Sequence, residues 1–140
     1  MNTHVEFCSD DFPPYEDEGK KVNAGRYGKR LADFLVRGLR EKGFTPLEPI
    51  AEDWGWMVPI KNDEFKLWIG CGNYDEYPDG FLCFIEPHQP TIRRFFFLGK
   101  INTSSKVNAL QEAIDQLLSA HPRIQNKRWW SFEEFKRGST

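Results

Sequence analysis

The chain has 140 residues, 39% hydrophobic and 29% charged, which is enough for one domain with its own core and no disulfide staples. No window approaches the run of about eighteen apolar residues that a membrane span requires, and the start lacks the basic-then-apolar order of a signal peptide, so a cytoplasmic protein away from membranes is expected. A formal net charge of −2 argues against nucleic acid as a partner, because phosphate contacts demand a net basic footprint.

That total conceals a segregation. Residues 1–19 carry six acids and no Lys or Arg, residues 20–42 eight bases and two acids, residues 43–90 nine acids and two bases, and residues 91–140 nine bases and four acids. Such blocks either neutralise one another across the surface of a compact fold or form a charged docking surface. The three cysteines, Cys8, Cys71 and Cys83, cannot all pair, and two lie in strand-like runs, so reduced structural thiols are expected.

Val5 to Cys8 has strand character and runs into Ser9 to Gly19, an acidic, Pro-bearing loop without period. Asp10, Asp11 and the carboxylates of Glu16 to Glu18 make it a candidate docking loop; their spacing is not that of a calcium loop, and no metal is expected. A first helix is predicted from Asn23, a good N-cap, to Gly43, its apolar side formed by Tyr27, Leu31, Phe34, Leu35, Gly38 and Leu39. Gly25 to Arg30 at its start has the glycines and bases of an anion cradle, without the spacing or Ser/Thr of a P-loop. Phe44 to Ile50, interrupted by Pro46 and Pro49, reads as an irregular or edge strand.

Trp54 to Ile85 forms the centre of the sheet. Trp54, Trp56, Val58 and Ile60 recur at a spacing of two and are expected on one strand face, with Met57 on the other. Lys61 to Glu64 supplies turn chemistry before a second run, Phe65 to Cys71, and a polar loop with an Asp79-Gly80 turn leads to Phe81 to Ile85, apolar at every position and expected to be covered on both faces. Ile92 to Leu98 is strongly β-prone and is expected to pair in the sheet. A second helix follows from the periodicity of Val107, Leu110, Ile114, Leu117 and Leu118, with Ser104 or Ser105 at its start and Pro122 beyond its end. Ser131-Phe132-Glu133-Glu134 is a capping box that opens a short helix after Trp129-Trp130, which either staple the tail to the core or form an interface.

Cys71 and Cys83 are too far apart in sequence for a zinc pair, and Asp75 and Glu76 would raise the pKa of Cys71 rather than activate it. Neither cofactor nor catalytic residue is indicated. The best polar cluster is Glu52 and Asp53 before Trp54 with Asp75 and Glu76 after the second central strand, at one end of an antiparallel meander, and His88 after the third strand, expected at the opposite end unless its loop folds back. Carboxylates so placed can share a proton as acid and base, or form a negative patch that meets a basic partner. Glu52-Asp53-Trp54-Gly55-Trp56, Leu67 to Gly72 and Trp129-Trp130 resemble features of small bacterial proteins of uncharacterised activity; the resemblance implies a bacterial origin and one full-length domain, and carries no function.

The expectation is a single α+β domain over residues 1–140, a two-layer sandwich with a mainly antiparallel sheet of about five to six strands and two helices on one face, an acidic loop over 9–19 and an aromatic tail over 122–140. The favoured function is a non-enzymatic protein-binding module of inhibitor or immunity type that meets its partner through acidic loops 9–18 and 73–79 and exposed aromatics, its candidate binding residues being Glu52, Asp53, Trp54, Trp56, Asp75, Glu76, Asp10, Asp11, Trp129 and Trp130. The alternatives are a small-ligand or hydrolase-like site built on the four carboxylates, and a structural homodimer.

Overall fold

Alternation of apolar and polar side chains drives the strands, and helical periodicity supplies the elements that pack on them. The computed structural model describes residues 1–18, 26–73, 79–94 and 99–138. In chain order these form β1 (Asn2–Cys8), α1 (Lys29–Glu41), β2 (Ile50–Glu52), β3 (Gly55–Ile60), β4 (Leu67–Asn73), β5 (Gly80–Glu86), β6 (Thr91–Arg93), β7 (Lys100–Asn102), α2 (Ser104–Ala120), β8 (Gln125–Ser131) and α3 (Phe132–Gly138). The fold is α+β: a six-stranded sheet of order β2-β3-β4-β5-β1-β8, antiparallel at every pairing, and a separate hairpin of β6 and β7.

One face of the sheet is the core face. Val5 and Phe7 of β1, Trp56, Val58 and Ile60 of β3, Leu67, Ile69 and Cys71 of β4, and Phe81, Cys83 and Ile85 of β5 are buried, in one cluster with Leu31, Leu35 and Leu39 of α1 and Val107, Leu110, Ile114 and Leu118 of α2. Each large apolar side chain buried this fully contributes about 1.5–3 kcal/mol, so the helices are held by packing rather than by propensity. Among the described residues no helix is long and apolar enough to cross a membrane.

The helix at α1 begins at Lys29, with Gly28 at its N-cap; Asn23 lies outside the described residues, and Tyr27 precedes the helix instead of lying on its apolar side. Gly28 makes no side-chain cap, and the carboxylate of Glu18 takes that role: Oε2 accepts from Gly28 N at 2.7 Å, Lys29 N at 3.0 Å and Trp56 Nε1 at 2.9 Å, while Oε1 accepts from Tyr15 N at 3.0 Å. A buried carboxylate against free N–H groups at a helix start is electrostatically well placed. It thereby takes the Gly28 and Lys29 N–H groups that an anion cradle at Gly25 to Arg30 would use; Gly25 itself lies outside the described residues.

Two strand expectations need correction. Trp54 does not share a face with Trp56: it sits in the two-residue turn between Glu52 and Gly55, which face each other in the β2–β3 register. Gly55 has φ 150, and a Cβ there would stand 2.4 Å from the Cys71 carbonyl oxygen, so the alternation restarts at Gly55 rather than continuing through it. At the start of the β-prone run from Ile92, Thr91–Arg93 pairs with Lys100–Asn102 in a separate hairpin and not in the main sheet; Phe95 to Leu98 lie outside the described residues.

Both edges of the sheet are blunted. On the β2 side Pro46 faces Ile60 and Ile50 faces Met57, so the outer strand takes four steps while β3 takes three, a bulge flanked by Pro46 and Pro49. On the β8 side Asn126 adopts φ 58 where the register with β1 shifts, and Lys127 and Arg128 follow it. Prolines, bulges and edge lysines are the features that discourage strand addition.

Candidate functional site

The second face of the sheet is the one that the core leaves unused. Register places Ile50, Met57, Gly70, Phe84, His4 and Trp130 in one row across all six strands of the main sheet. The His4–Trp130 end of this row is roofed by α3. His4 stacks on Phe135 with ring centroids 4.7 Å apart and on Phe84 at 5.5 Å, and His88 stacks on Phe132 at 3.8 Å while Nδ1 pairs with Glu86 at 3.0 Å. Burial, and secondarily the charge of His88, push the His4 imidazole down to about 4.

The opposite end is open. Leu47, Ile50 and Trp54, 49%, 45% and 37% exposed, are the large hydrophobic side chains left exposed among the described residues, and all three belong to the β2 edge and its turn. The Trp54 indole folds back from the turn onto Phe84 at 5.4 Å and Trp68 at 6.1 Å, and Trp68 meets Phe84 at 5.6 Å. These rings wall a groove of about 280 Å³ that also involves Leu82, Gly72, Asn73 and Arg26. Its position follows from β4, whose alternation turns Trp68, Gly70 and Gly72 to this face: Phe84 lies across Gly70, where a Cβ would meet its ring at 2.2 Å, whereas a Cβ on Gly72 would meet only the Trp54 carbonyl oxygen, at 3.1 Å.

The expected binding residues scatter. Trp54, Glu52 and Asp53 lie at this open end; Glu52 is half-buried, Asp53 is exposed, and neither lines the groove itself. Trp56 is buried in the core, its indole N–H committed to Glu18. Asp75 and Glu76 lie outside the described residues. Asp10 and Asp11 are tied within the chain: Asp10 takes a two-pronged hydrogen bond from the Arg123 guanidinium at 2.8 and 2.5 Å, and Asp11 pairs with His121 Nε2 at 2.9 Å.

The two tail tryptophans point to opposite faces. Trp129, opposite Val5, donates its indole N–H to Asp115 of α2 at 2.9 Å. Burial alone would raise the Asp115 carboxyl, but hydrogen bonds from Lys127 and Trp129 outweigh it and hold the group below the usual carboxylate range. Trp130, opposite His4, carries the Arg128 guanidinium 3.6 Å from its ring centroid. The Trp129 indole N–H is thus used within the chain, whereas the Trp130 indole N–H is buried with no hydrogen-bond partner among the described residues.

Cys71 and Cys83 face each other across β4 and β5, both buried; their mutual hydrogen bond, with burial, pushes the Cys71 thiol well above its ordinary value. A thiol so placed is no nucleophile. Among the described residues no group of three or more His, Cys, Asp or Glu side chains could hold a metal ion.

Sequence reasoning missed Trp68, Phe84, Gly72, Ile50 and Met57 as members of a site. The signal was the alternation Trp68, Gly70, Gly72: a strand face with two glycines leaves space that neighbouring rings border. Comparison with family models, with curated proteins and with solved structures finds no match to this chain.

Proposed function

We propose that the chain is a non-enzymatic protein-binding module, a two-layer sandwich in which α1 and α2 cover one face of the sheet and the open end of the second face meets a partner. The observation that carries this reading is the concentration of the exposed large hydrophobic side chains, Leu47, Ile50 and Trp54, beside the half-buried Met57 and Trp68. A contiguous apolar patch rimmed by polar residues is the usual sign of an interaction surface. Blunted edges favour recognition by the face over strand addition.

Charge indicates the partner's character. Glu48, Glu52 and Asp53 border the patch, and among the described residues none of them is ion-paired. The fitting partner therefore presents apolar side chains next to Lys or Arg, and binds more weakly as salt rises. The acidic loop 9–18, in contrast, spends Asp10, Asp11 and Glu18 on contacts within the chain.

A peptide-display selection against the whole protein tests this. Enriched peptides should combine apolar with basic residues, lose at least tenfold in affinity to an Ile50→Ser/Trp54→Ser variant, and bind an Asp10→Asn/Asp11→Asn variant unchanged. Peptides that ignore the first variant and lose affinity to the second would return the docking surface to the acidic loop.

A further inference from the structure

The groove over Gly72 is large enough for one side chain. At about 280 Å³ it lies at the small end of ligand pockets, which span roughly 300–1,000 Å³, and it accommodates one aromatic side chain. Three of its walls are the rings of Trp54, Trp68 and Phe84, and its floor is a glycine with no side chain to fill it.

We infer that this groove receives one aromatic side chain of a partner protein, with a basic residue beside it in the partner sequence. The inference rests on the binding-module reading above and names the anchor of that surface. Rings prefer neighbouring rings at offset or edge-on centroid separations of about 4.5–7 Å, and the groove is bordered by the exposed Trp54 and the half-buried Trp68. Arg26 also lines the groove, so a second cation inside it would meet like charge whereas an uncharged ring would not. The cation belongs outside, where Asp53 adjoins Trp54 in the turn and Glu52 closes β2. An aromatic anchor seated in a pocket and bordered by a charged pair is the pattern of an interface hot spot.

The test uses the whole chain labelled with ¹⁵N, in which the five tryptophans give separate indole N–H resonances. Four blocked dipeptides are titrated: Trp-Lys, Ala-Lys, Trp-Glu and Phe-Lys. Trp-Lys and Phe-Lys should move the Trp54 and Trp68 resonances saturably, in about the millimolar range, and leave Trp56 and Trp129 in place. Ala-Lys should bind at least tenfold more weakly, and Trp-Glu several-fold more weakly.

Gly72→Val, which puts a branched side chain on the groove floor, should abolish the shifts while the Trp129 resonance reports an intact core. Trp54→Ser, at an exposed turn, provides a second variant with the same expected loss. Equal binding of Ala-Lys and Trp-Lys, or shifts that survive both substitutions, would overturn the inference. So would free indole binding more tightly than any dipeptide, since that would mark a small-ligand pocket. Display peptides that need Trp54 but lack an aromatic residue would remove the groove's role and leave the binding-module reading standing; dipeptide shifts with no display peptide selected would do the reverse.

Discussion

Glu18 and His4 are the two buried polar side chains whose partners make the sharpest demands. Glu18, 2% exposed, satisfies four donors from Tyr15, Gly28, Lys29 and Trp56, so Glu18→Ala would leave several buried N–H groups without acceptors. The expected cost is about 3 kcal/mol, with Glu18→Gln losing about half as much because it keeps one carbonyl oxygen. Urea unfolding at constant m reads this directly, and a cost under about 1 kcal/mol for the alanine variant would contradict the assigned role.

His4 gives a pH dependence. Its folded pKa, about 4, lies below the ordinary 6.5, so the folded state favours the neutral ring and the unfolded chain binds more protons between those values. Stability from this residue is complete above pH about 6.5 and is lost as pH falls through about 4, at most about 3 kcal/mol by 1.36 kcal/mol per unit. Unfolding midpoints across this range should fall more steeply for the wild type than for His4→Phe; parallel curves would refute the claim. Neither role was legible in the sequence. Glu18 looked like one more acid in a run of acids, and only the approach of Trp56 and the α1 terminus distinguishes it.

At the scale of elements, local signals succeeded where they were self-contained. The capping box at Ser131 forms as read: Glu134 N donates to Ser131 Oγ and Ser131 N to Glu134 Oε1, both at 3.1 Å. A helix of seven residues is too short to persist alone, so α3 depends on this box and on Phe132 and Phe135 against the histidines. Ser131→Ala should cost about 1 kcal/mol and speed amide exchange across α3 selectively; unchanged exchange there would show that aromatic docking alone holds the helix.

Strands that depend on distant partners were less legible. The meander of β3, β4 and β5 was readable because alternation and turns are local. Gln125–Arg128 of β8 is polar and without alternation, and it becomes a strand only because β1 offers an open edge on that side. Trp54 was misplaced because a spacing of two continues through Gly55 in sequence but not in space.

For the molecule as a whole, the charge blocks resolve into internal neutralisation and a remainder. Asp10–Arg123 and Asp11–His121 join the acidic first block to the basic last one. In the acidic third block, Glu48, Glu52 and Asp53 are left at the open end of the second face. Block totals were legible from composition; which block would be spent internally was not, because the pairing depends on loop 9–18 meeting the turn after α2.

In the proposed function this second face, and not the acidic loop, meets the partner. Site-specific photo-crosslinking in cells tests it most directly, with a benzophenone side chain placed at Met57 on the open end, at Glu16 in the loop, or at Glu112 on the exposed side of α2. A discrete crosslinked adduct is expected from position 57, diminished by Trp54→Ser, and none from positions 16 and 112. An adduct from position 16 with none from position 57 would contradict it.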